Sequence, residues 1–340
     1  MMREDARRER LVLKEAATDP GYGSLPSDRP IEEHIRNGVV NIEKPAGPTS
    51  HEVASWVRKI LGIGKAGHSG TLDPGVTGVL PIMLEDATRV VDLVKGREKE
   101  YICLMRLHRR TPRAVTREIC QEFVGEIYQT PPVKSGVKRQ LRTREIYAID
   151  ILESDEREVL MRIECEAGTY VRKLCHDIGR VIGSGAHMQE LRRTRAGPFT
   201  EDTSVRLHTL KDAYVGWVED GDERELRRVI QPVENALVDL PRIALLDTAV
   251  AAISNGAPLR RPGIAEIDLG IKRGDQVLLV TLKGEAIAVG TAHYPSEEIA
   301  RVEKTSVVAT TKRVIMDSNT YPRHWKGQKI GSITGSSTLS

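Results

Sequence analysis

Lys65-Ala66-Gly67-His68-Ser69-Gly70-Thr71-Leu72-Asp73-Pro74 sets one carboxylate, Asp73, behind a glycine-rich run and closes on a proline. Gly67, Gly70 and the following Gly75 can take backbone angles closed to other residues, while Pro74 fixes its own φ and restricts Asp73. Two readings compete. Asp-Pro among glycines is ordinary turn chemistry between two secondary elements. A carboxylate held that tightly on a loop is also a candidate nucleophile or general base. Ten residues alone favour the turn, and the surrounding chain has to decide.

Upstream, residues 39–42 read as a short buried strand. Thr49 and Glu52 form a capping box, Val53, Trp56, Val57, Ile60 and Leu61 follow at helical spacing, and Gly62 stops the helix. Downstream, residues 99–107 alternate as a strand and 114–123 read as a helix. Residues 130–140, with Pro131, Pro132 and Gly136, form a basic loop. Residues 146–152 and 159–165 look like paired strands around an acidic turn, and Thr169 opens a helix with Val171, Leu174, Cys175 and Ile178 on one face. Beyond residue 232 the composition shifts to a short helix (249–256) and strands (277–282, 286–290) joined by a Lys283-Gly284 turn. Interleaved strands and helices with hairpin-like links predict an α+β fold with a mixed, mostly antiparallel sheet. Residues 1–30 read as an extension without its own core, and the small polar residues of 326–340 as a disordered tail.

The 340 residues leave room for two domains. No apolar run is long enough to span a bilayer, and Arg3, Arg7, Arg8 and Arg10 precede no apolar stretch of a secretory signal. Net charge is only +3, yet it is unevenly spread. Lys134, Lys138, Arg139, Arg142 and Arg144 face Glu145 alone in 130–147, and residues 301–340 are likewise basic, while acid gathers at 150–166 and 219–225. Basic clusters on a near-neutral chain predict a directed polyanion site. Cys103, Cys120, Cys165 and Cys175 lack C-x-x-C spacing, which argues against a metal or a disulfide framework, and Cys175 reads as a small core residue.

Gly38-Val39-Val40-Asn41-Ile42-Glu43-Lys44-Pro45-Ala46-Gly47-Pro48-Thr49-Ser50 and the Asp73 loop together resemble the first motif of the TruB/dyskerin family of pseudouridine synthases, K-P-x-G-x-T-S followed by G-H-x-G-T-L-D-P. Lys99-Glu100-Tyr101, Gly168-Thr169-Tyr170-Val171-Arg172 and Leu191-Arg192-Arg193-Thr194-Arg195-Ala196-Gly197-Pro198-Phe199 match further family segments in the same order. Asn255-Gly256-Ala257-Pro258 and residues 284–290 resemble a PUA domain, a small RNA-binding pseudo-barrel. The resemblance implies a catalytic domain over 31–235 with an RNA cleft along its sheet, a PUA domain over 240–325, and an N-terminal extension packed on the latter.

It also implies the chemistry. Uridine isomerises to pseudouridine when its glycosidic C–N bond breaks and re-forms through carbon, which calls for no redox or metal cofactor. Gly62-Ile63-Gly64-Lys65 is no P-loop, and Gly67-His68-Ser69-Gly70-Thr71 fails G-x-S-x-G at its fifth residue. By resemblance Asp73 is the nucleophile in a pocket that excludes water. Arg172 keeps it ionised, and Tyr101 stacks on the base and takes part in proton transfer. His68 packs into the RNA where the uridine has flipped out. Lys44 contacts RNA and, with Pro45, supports the loop and pocket, and Leu191 lines the pocket. Lys134, Lys138, Arg139, Arg260 and Arg261 are further expected RNA contacts.

Residues 131–139 and the segments 311–316 and 320–325 resemble archaeal dyskerin-type members, which implies a cytoplasmic subunit of a box H/ACA ribonucleoprotein. Its partners would be a guide RNA and small H/ACA proteins, and its substrates ribosomal RNA and the transfer RNA T-loop. A guide-independent transfer RNA enzyme is the alternative within the family. Outside it stand an inactive RNA-binding scaffold and a two-carboxylate hydrolase, for which Glu85 and Asp86 are the nearest second acids.

Overall fold

The computed structural model describes residues 8–131 and 140–323. Within these, contacts divide the chain into one unit of residues 26–239 and another of residues 8–25 with 240–323. Along the chain the strands are β1 (Arg10–Val12), β2 (Gly38–Lys44), β3 (Ala66–His68), β4 (Thr77–Leu84), β5 (Lys99–Leu107) and β6 (Gly125–Gln129). They continue as β7 (Arg142–Ser154), β8 (Glu158–Cys165), β9 (Ala186–Ala196), β10 (Phe199–Thr200), β11 (Gln231–Pro232) and β12 (Arg242–Leu245). Then come β13 (Leu259–Arg260), β14 (Ile264–Asp268), β15 (Gln276–Thr281), β16 (Ala286–Ala292) and β17 (Val307–Val314). The helices are α1 (Ile31–Arg36), α2 (Ser50–Ile60), α3 (Val91–Lys95), α4 (Arg113–Glu122), α5 (Val171–Ile182), α6 (Leu207–Asp220), α7 (Arg224–Val229), α8 (Asp247–Ser254) and α9 (Ser296–Ile299).

The first unit is built on one sheet in the order β11-β2-β4-β9-β5-β8-β7-β6, with β3 added to β4 and β10 to β9. Its strand pairs are antiparallel except β4 with β9. Along β5, Tyr101, Cys103, Met105 and Leu107 are buried and alternate with more open neighbours, because successive strand side chains point to opposite faces. That buried face packs with Leu174, Cys175 and Ile178 of α5 and Cys120 of α4. A separate core joins Val40 and Ile42 of β2 and Leu80 and Ile82 of β4 to Val53 and Val57 of α2 and Leu210 of α6.

The expected capping box is present: Thr49 accepts from the Glu52 amide at 3.2 Å, and the Glu52 carboxylate accepts from the Thr49 amide at 2.8 Å. One helix start moves. Thr169 does not open α5, because its hydroxyl donates back to the Glu166 carbonyl at 2.8 Å and Gly168 is still turning at φ 84°. The Tyr170 amide is taken by Gln129 Oε1 at 2.9 Å, so the helix begins at Val171. Arg172 therefore lies in its first turn.

The second unit is β-rich, in the order β1-β14-β12-β15-β16-β17-β13, with β12 and β15 parallel. Its core gathers Ile243, Leu245, Val277, Leu279, Ile287 and Val308. β1 extends the sheet by pairing with β14, Arg10 opposite Asp268. The expected tail at 326–340 and most of the basic loop at 130–140 lie outside the described residues.

Candidate active site

Asp73 lies on the connection from β3 to β4, and the upstream K-P-x-G-x-T-S stretch supplies the groups that hold this connection. Lys44, at the end of β2, is fully buried, and its ammonium donates to the carbonyls of Pro45, Pro74 and Val76 at 2.8, 3.0 and 2.8 Å. The Gly47 amide donates to the Pro74 carbonyl at 2.9 Å, with Gly47 at φ 113°, a region that favours glycine. Buried Ser50 grips Leu72 both ways: its hydroxyl accepts from the Leu72 amide at 2.8 Å and donates to the Leu72 carbonyl at 3.1 Å. Val76 N to Asp73 O, 3.0 Å, closes a tight turn over Pro74 and Gly75. A loop with no regular pairing thus has its backbone groups satisfied one by one, as burial requires.

The Asp73 carboxylate pairs with the Arg172 guanidinium from the first turn of α5, ninety-nine residues away. The pocket differs from the expected water-excluding one. The Asp73 and Arg172 side chains are 54% and 51% exposed, so water screens the pair in the free chain. Burial of this carboxylate has to come from whatever binds over it.

Tyr101 is buried on β5, directly across from Arg193 of β9. Burial pushes the phenol's pKa up, and the adjacent Arg193 guanidinium pulls it back. Sequence reasoning places Arg193 inside a motif without singling it out as functional. It is 1% exposed, donates from Nε to the Val79 carbonyl at 2.8 Å and from Nη2 to the Gly70 carbonyl at 3.2 Å, and hydrogen-bonds Tyr101. One buried cation therefore ties the Asp73 loop, the strand leaving it and the Tyr101 phenol. At Gly78, φ 103°, any Cβ would strike the Arg193 backbone, so β4 can approach β9 here only with glycine. Arg193 also adds positive potential. Burial first, then Arg193, lowers the Lys44 pKa, and the same causes push Lys99 down to about 7.

The other expected residues are dispersed. His68 is half-buried on β3, edge-on to His51 with ring centres 4.7 Å apart, and burial pushes it down to about 4. Pro45 is exposed beside Lys44, and Leu191 packs half-buried on the β5 core, opposite Cys103. Lys44 needs correcting as an RNA contact: with no exposed surface and three carbonyls around its ammonium, it offers nothing to a phosphate and serves as a support. In the second unit, Arg260 is exposed and donates to the Thr305 carbonyl, while half-buried Arg261 donates to the Val302 carbonyl at 3.1 Å. Lys134, Lys138 and Arg139 lie outside the described residues.

Glu85 is engaged by the amides of Gly64 and Lys65, and Asp86 pairs with Arg89 and Arg36 at 3.0 and 3.3 Å, so neither acid is held ready as a partner for Asp73. Cys103 and Cys175 face each other in the core with sulfurs 3.5 Å apart. Among the described residues, no three His, Cys, Asp or Glu converge as metal ligands, and no helix is long and apolar enough to cross a membrane.

Comparison with known proteins finds similarity over most of the chain. Residues 58–171 match the TruB family pseudouridylate synthase N-terminal domain, and 172–238 the tRNA pseudouridylate synthase B C-terminal domain. Residues 241–315 match the PUA domain, and 5–54 the DKCLD domain. "Probable tRNA pseudouridine synthase B" of Methanosarcina barkeri is 53% identical over 325 residues, 95% of this chain and 96% of its own. Among solved structures, an H/ACA RNP bound to a substrate RNA containing 2′-deoxyuridine aligns at 49% identity and TM-score 0.87, covering 94% of this chain and 98% of that one. A Cbf5-Nop10-Gar1 complex aligns at 51% identity and TM-score 0.86, covering 94% and 97%. Near-complete coverage at this identity places the chain in the TruB family of pseudouridine synthases.

Proposed function

We propose that this chain isomerises uridine in RNA as the catalytic subunit of an archaeal box H/ACA ribonucleoprotein, with Asp73 as nucleophile. The observation that carries the catalytic part is the Asp73–Arg172 pair on a loop clamped by Lys44, Gly47 and Ser50. In the reaction the N1–C1′ bond of uridine breaks and a C5–C1′ bond forms; C5 loses a proton and N1 gains one, so atoms balance without a cofactor. Asp73 attacks the substrate as a carboxylate, and Arg172, always charged, keeps it ionised as bound RNA displaces water. Tyr101 stacks on the extruded base and takes part in proton transfer, with Arg193 fixing the direction of its phenol. Leu191 lines the pocket, and His68 fills the place that the flipped uridine leaves.

The guided reading is supported by the likeness to subunits solved in H/ACA complexes, at about half identity along nearly the whole chain. Guide RNA would select the uridine by base pairing, anchored on the PUA domain with Arg260 and Arg261 among its contacts. Small H/ACA proteins would hold the substrate over Asp73, and ribosomal RNA would be the main target, in the cytoplasm. The residue boundaries expected for the domains, 31–235 and 240–325 with 1–30 packed on the latter, belong to this proposal. A second reading, a guide-independent enzyme acting on the transfer RNA T-loop, is favoured by the names of the curated relatives.

The test is pseudouridine formation on a transfer RNA T-loop and on a guided ribosomal target, each with and without guide RNA and partners. The guided reading expects ribosomal conversion only with guide present. Rapid site-specific conversion of that target by the chain alone would overturn it in favour of the standalone enzyme.

A further inference from the structure

Next to the Asp73 loop, the first unit carries a cavity of about 630 Å³ whose walls include His51, Arg58, Lys65, His68 and Lys95. Its charged lining is entirely cationic. Arg58, Lys65 and Lys95 are exposed, and no carboxylate among the described residues pairs with their side chains. Glu85, beside the cavity, is engaged by the amides of Gly64 and Lys65.

Two further features lie at this wall, one just behind it and one within it. Glu85 is the single non-glycine residue at positive φ among the described residues, at 38°, and its own amide donates to the Lys65 carbonyl at 3.0 Å. Backbone strain of that kind persists only where surrounding contacts over-determine it. Here the contacts pin the turn that carries Lys65 to the cavity rim. The other is the half-buried His68 ring, whose Nδ1 is enclosed in the wall and which takes a backbone contact from Gly70. Unpaired cations, and a strained residue whose hydrogen bonds fix the turn that carries one of them, together describe a prepared anion site.

We propose that this cavity seats a backbone phosphodiester of the RNA strand carrying the target uridine, held by Arg58, Lys65 and Lys95, with His51 and His68 as polar walls. The inference rests on the reading that this chain modifies uridine in RNA. His68 precedes Asp73 by five residues on the same connection, a span of at most about 18 Å when fully extended. A strand that delivers a uridine to Asp73 therefore passes the cavity within a few nucleotides. An open, polar, three-cation cavity suits a continuous polyanion better than a single small anion, since each phosphate seated there releases counterions.

The experiment uses the full chain and a short stem-loop RNA containing the target uridine, with methylphosphonate, which is uncharged, replacing one phosphodiester at a time. Binding is measured for the wild type and for the R58Q/K65Q/K95Q variant; the three side chains are exposed, so their loss empties no core. In the wild type, one or two replacements should weaken binding by about tenfold, the size of a strong charge-assisted contact. The same replacements should be nearly silent in the variant, whose salt dependence should also flatten by about 0.7 for each single-strand phosphate it no longer neutralises. The charge-keeping R58K/K65R/K95R variant should bind like the wild type.

Equal sensitivity to every replacement in wild type and R58Q/K65Q/K95Q would overturn the proposal. So would unchanged affinity and salt slope in that variant, or displacement of the RNA by inorganic phosphate at comparable concentration, which would assign the cavity to a free anion. Pseudouridine is scored on the same RNA. Absence of conversion by the wild type would count against the function proposed above, while the binding comparison would still decide the cavity.

Discussion

Both units bury charged side chains to hold a stretch of irregular chain, and they use opposite signs. Beneath the Asp73 loop the buried charges are cations: Lys44, Lys99 and Arg193, each bonded to backbone carbonyls. In the second unit they are anions. Asp247 accepts from the Asp19 amide and the Thr18 hydroxyl, Glu285 from the Ser24 amide and the Tyr321 hydroxyl, and Asp268 from the Arg242 amide. Either sign can satisfy an irregular backbone, since every residue but proline offers one donor and one acceptor. The difference lies in what the charge does beyond its own contacts. Cations under the Asp73 loop raise the positive potential where, in the proposed function, a carboxylate must stay ionised and a polyanion must approach. Anions serve to fasten a segment whose amides point inward.

The sharpest test of that contrast is Asp73→Asn, which keeps shape and removes charge. Turnover should fall by about 10⁴ or more while RNA affinity stays near wild type. Conversion near the wild-type rate would break the assignment of Asp73 as nucleophile.

Arg193→Met comes next. It leaves the Val79 and Gly70 carbonyls without their donor, which should cost roughly 3 kcal/mol in denaturant unfolding. It should also lower kcat about tenfold and move its pH profile, because the phenol of Tyr101 loses its cation. In a Tyr101→Phe background the kcat penalty should shrink while the stability loss remains. A stability loss with unchanged kcat and pH profile would reduce Arg193 to scaffolding.

Lys99 gives the comparison a pH dependence. Burial, and then Arg193, push its folded pKa down to about 7 from 10.5, while the Glu98 carboxylate opposes the shift. Between these values the unfolded chain carries a proton that the folded chain has released, so stability rises with pH, by at most ~1.4 kcal/mol per unit. Below about 7 both states are protonated and this contribution is flat. Lys99→Met should remove the alkaline slope in unfolding measured from pH 6 to 10. A slope that survives the substitution would assign it to another group.

The smallest effect is expected on the anionic side. Asp247→Asn keeps an acceptor for the Asp19 amide and loses only the charge, a cost of about 1 kcal/mol. Limited proteolysis around residues 18–19 should quicken, with turnover on bound RNA unchanged. Loss of turnover would show that this attachment, too, serves the chemistry.

How much of this is legible in the sequence differs from residue to residue. The capping box at Thr49 and Glu52, strand β5 and the paired strands β7 and β8 follow from local spacing, and the structure repeats them within a few residues. Strand β9 is not legible. His187, Gln189, Glu190, Arg192, Arg193 and Arg195 make it polar along most of its length, yet the strand runs between β4 and β5. Its charge is absorbed by neighbours distant in the chain: Arg192 pairs with Glu43 and Glu201, and Arg195 with Glu98 and Glu164. Strand β4 hides for a different reason, since Pro81 within it argues against a central strand. Pro81 still contributes its carbonyl there, accepting from the Ser69 amide at 3.1 Å.

By itself the sequence determined the bend at Asp73 and the residues able to hold it, and by resemblance it pointed to Asp73 as the proposed nucleophile, because glycine and proline angles, caps and short motifs are local. Tertiary structure alone decided that Arg172 reaches Asp73 across ninety-nine residues and that the middle arginine of a polar run is buried against Tyr101. It also decided that Lys44 points inward and that Asp73 stands half exposed until something covers it. Burial and long-range electrostatics depend on which strands become neighbours, and here that is set by β9 lying between β4 and β5.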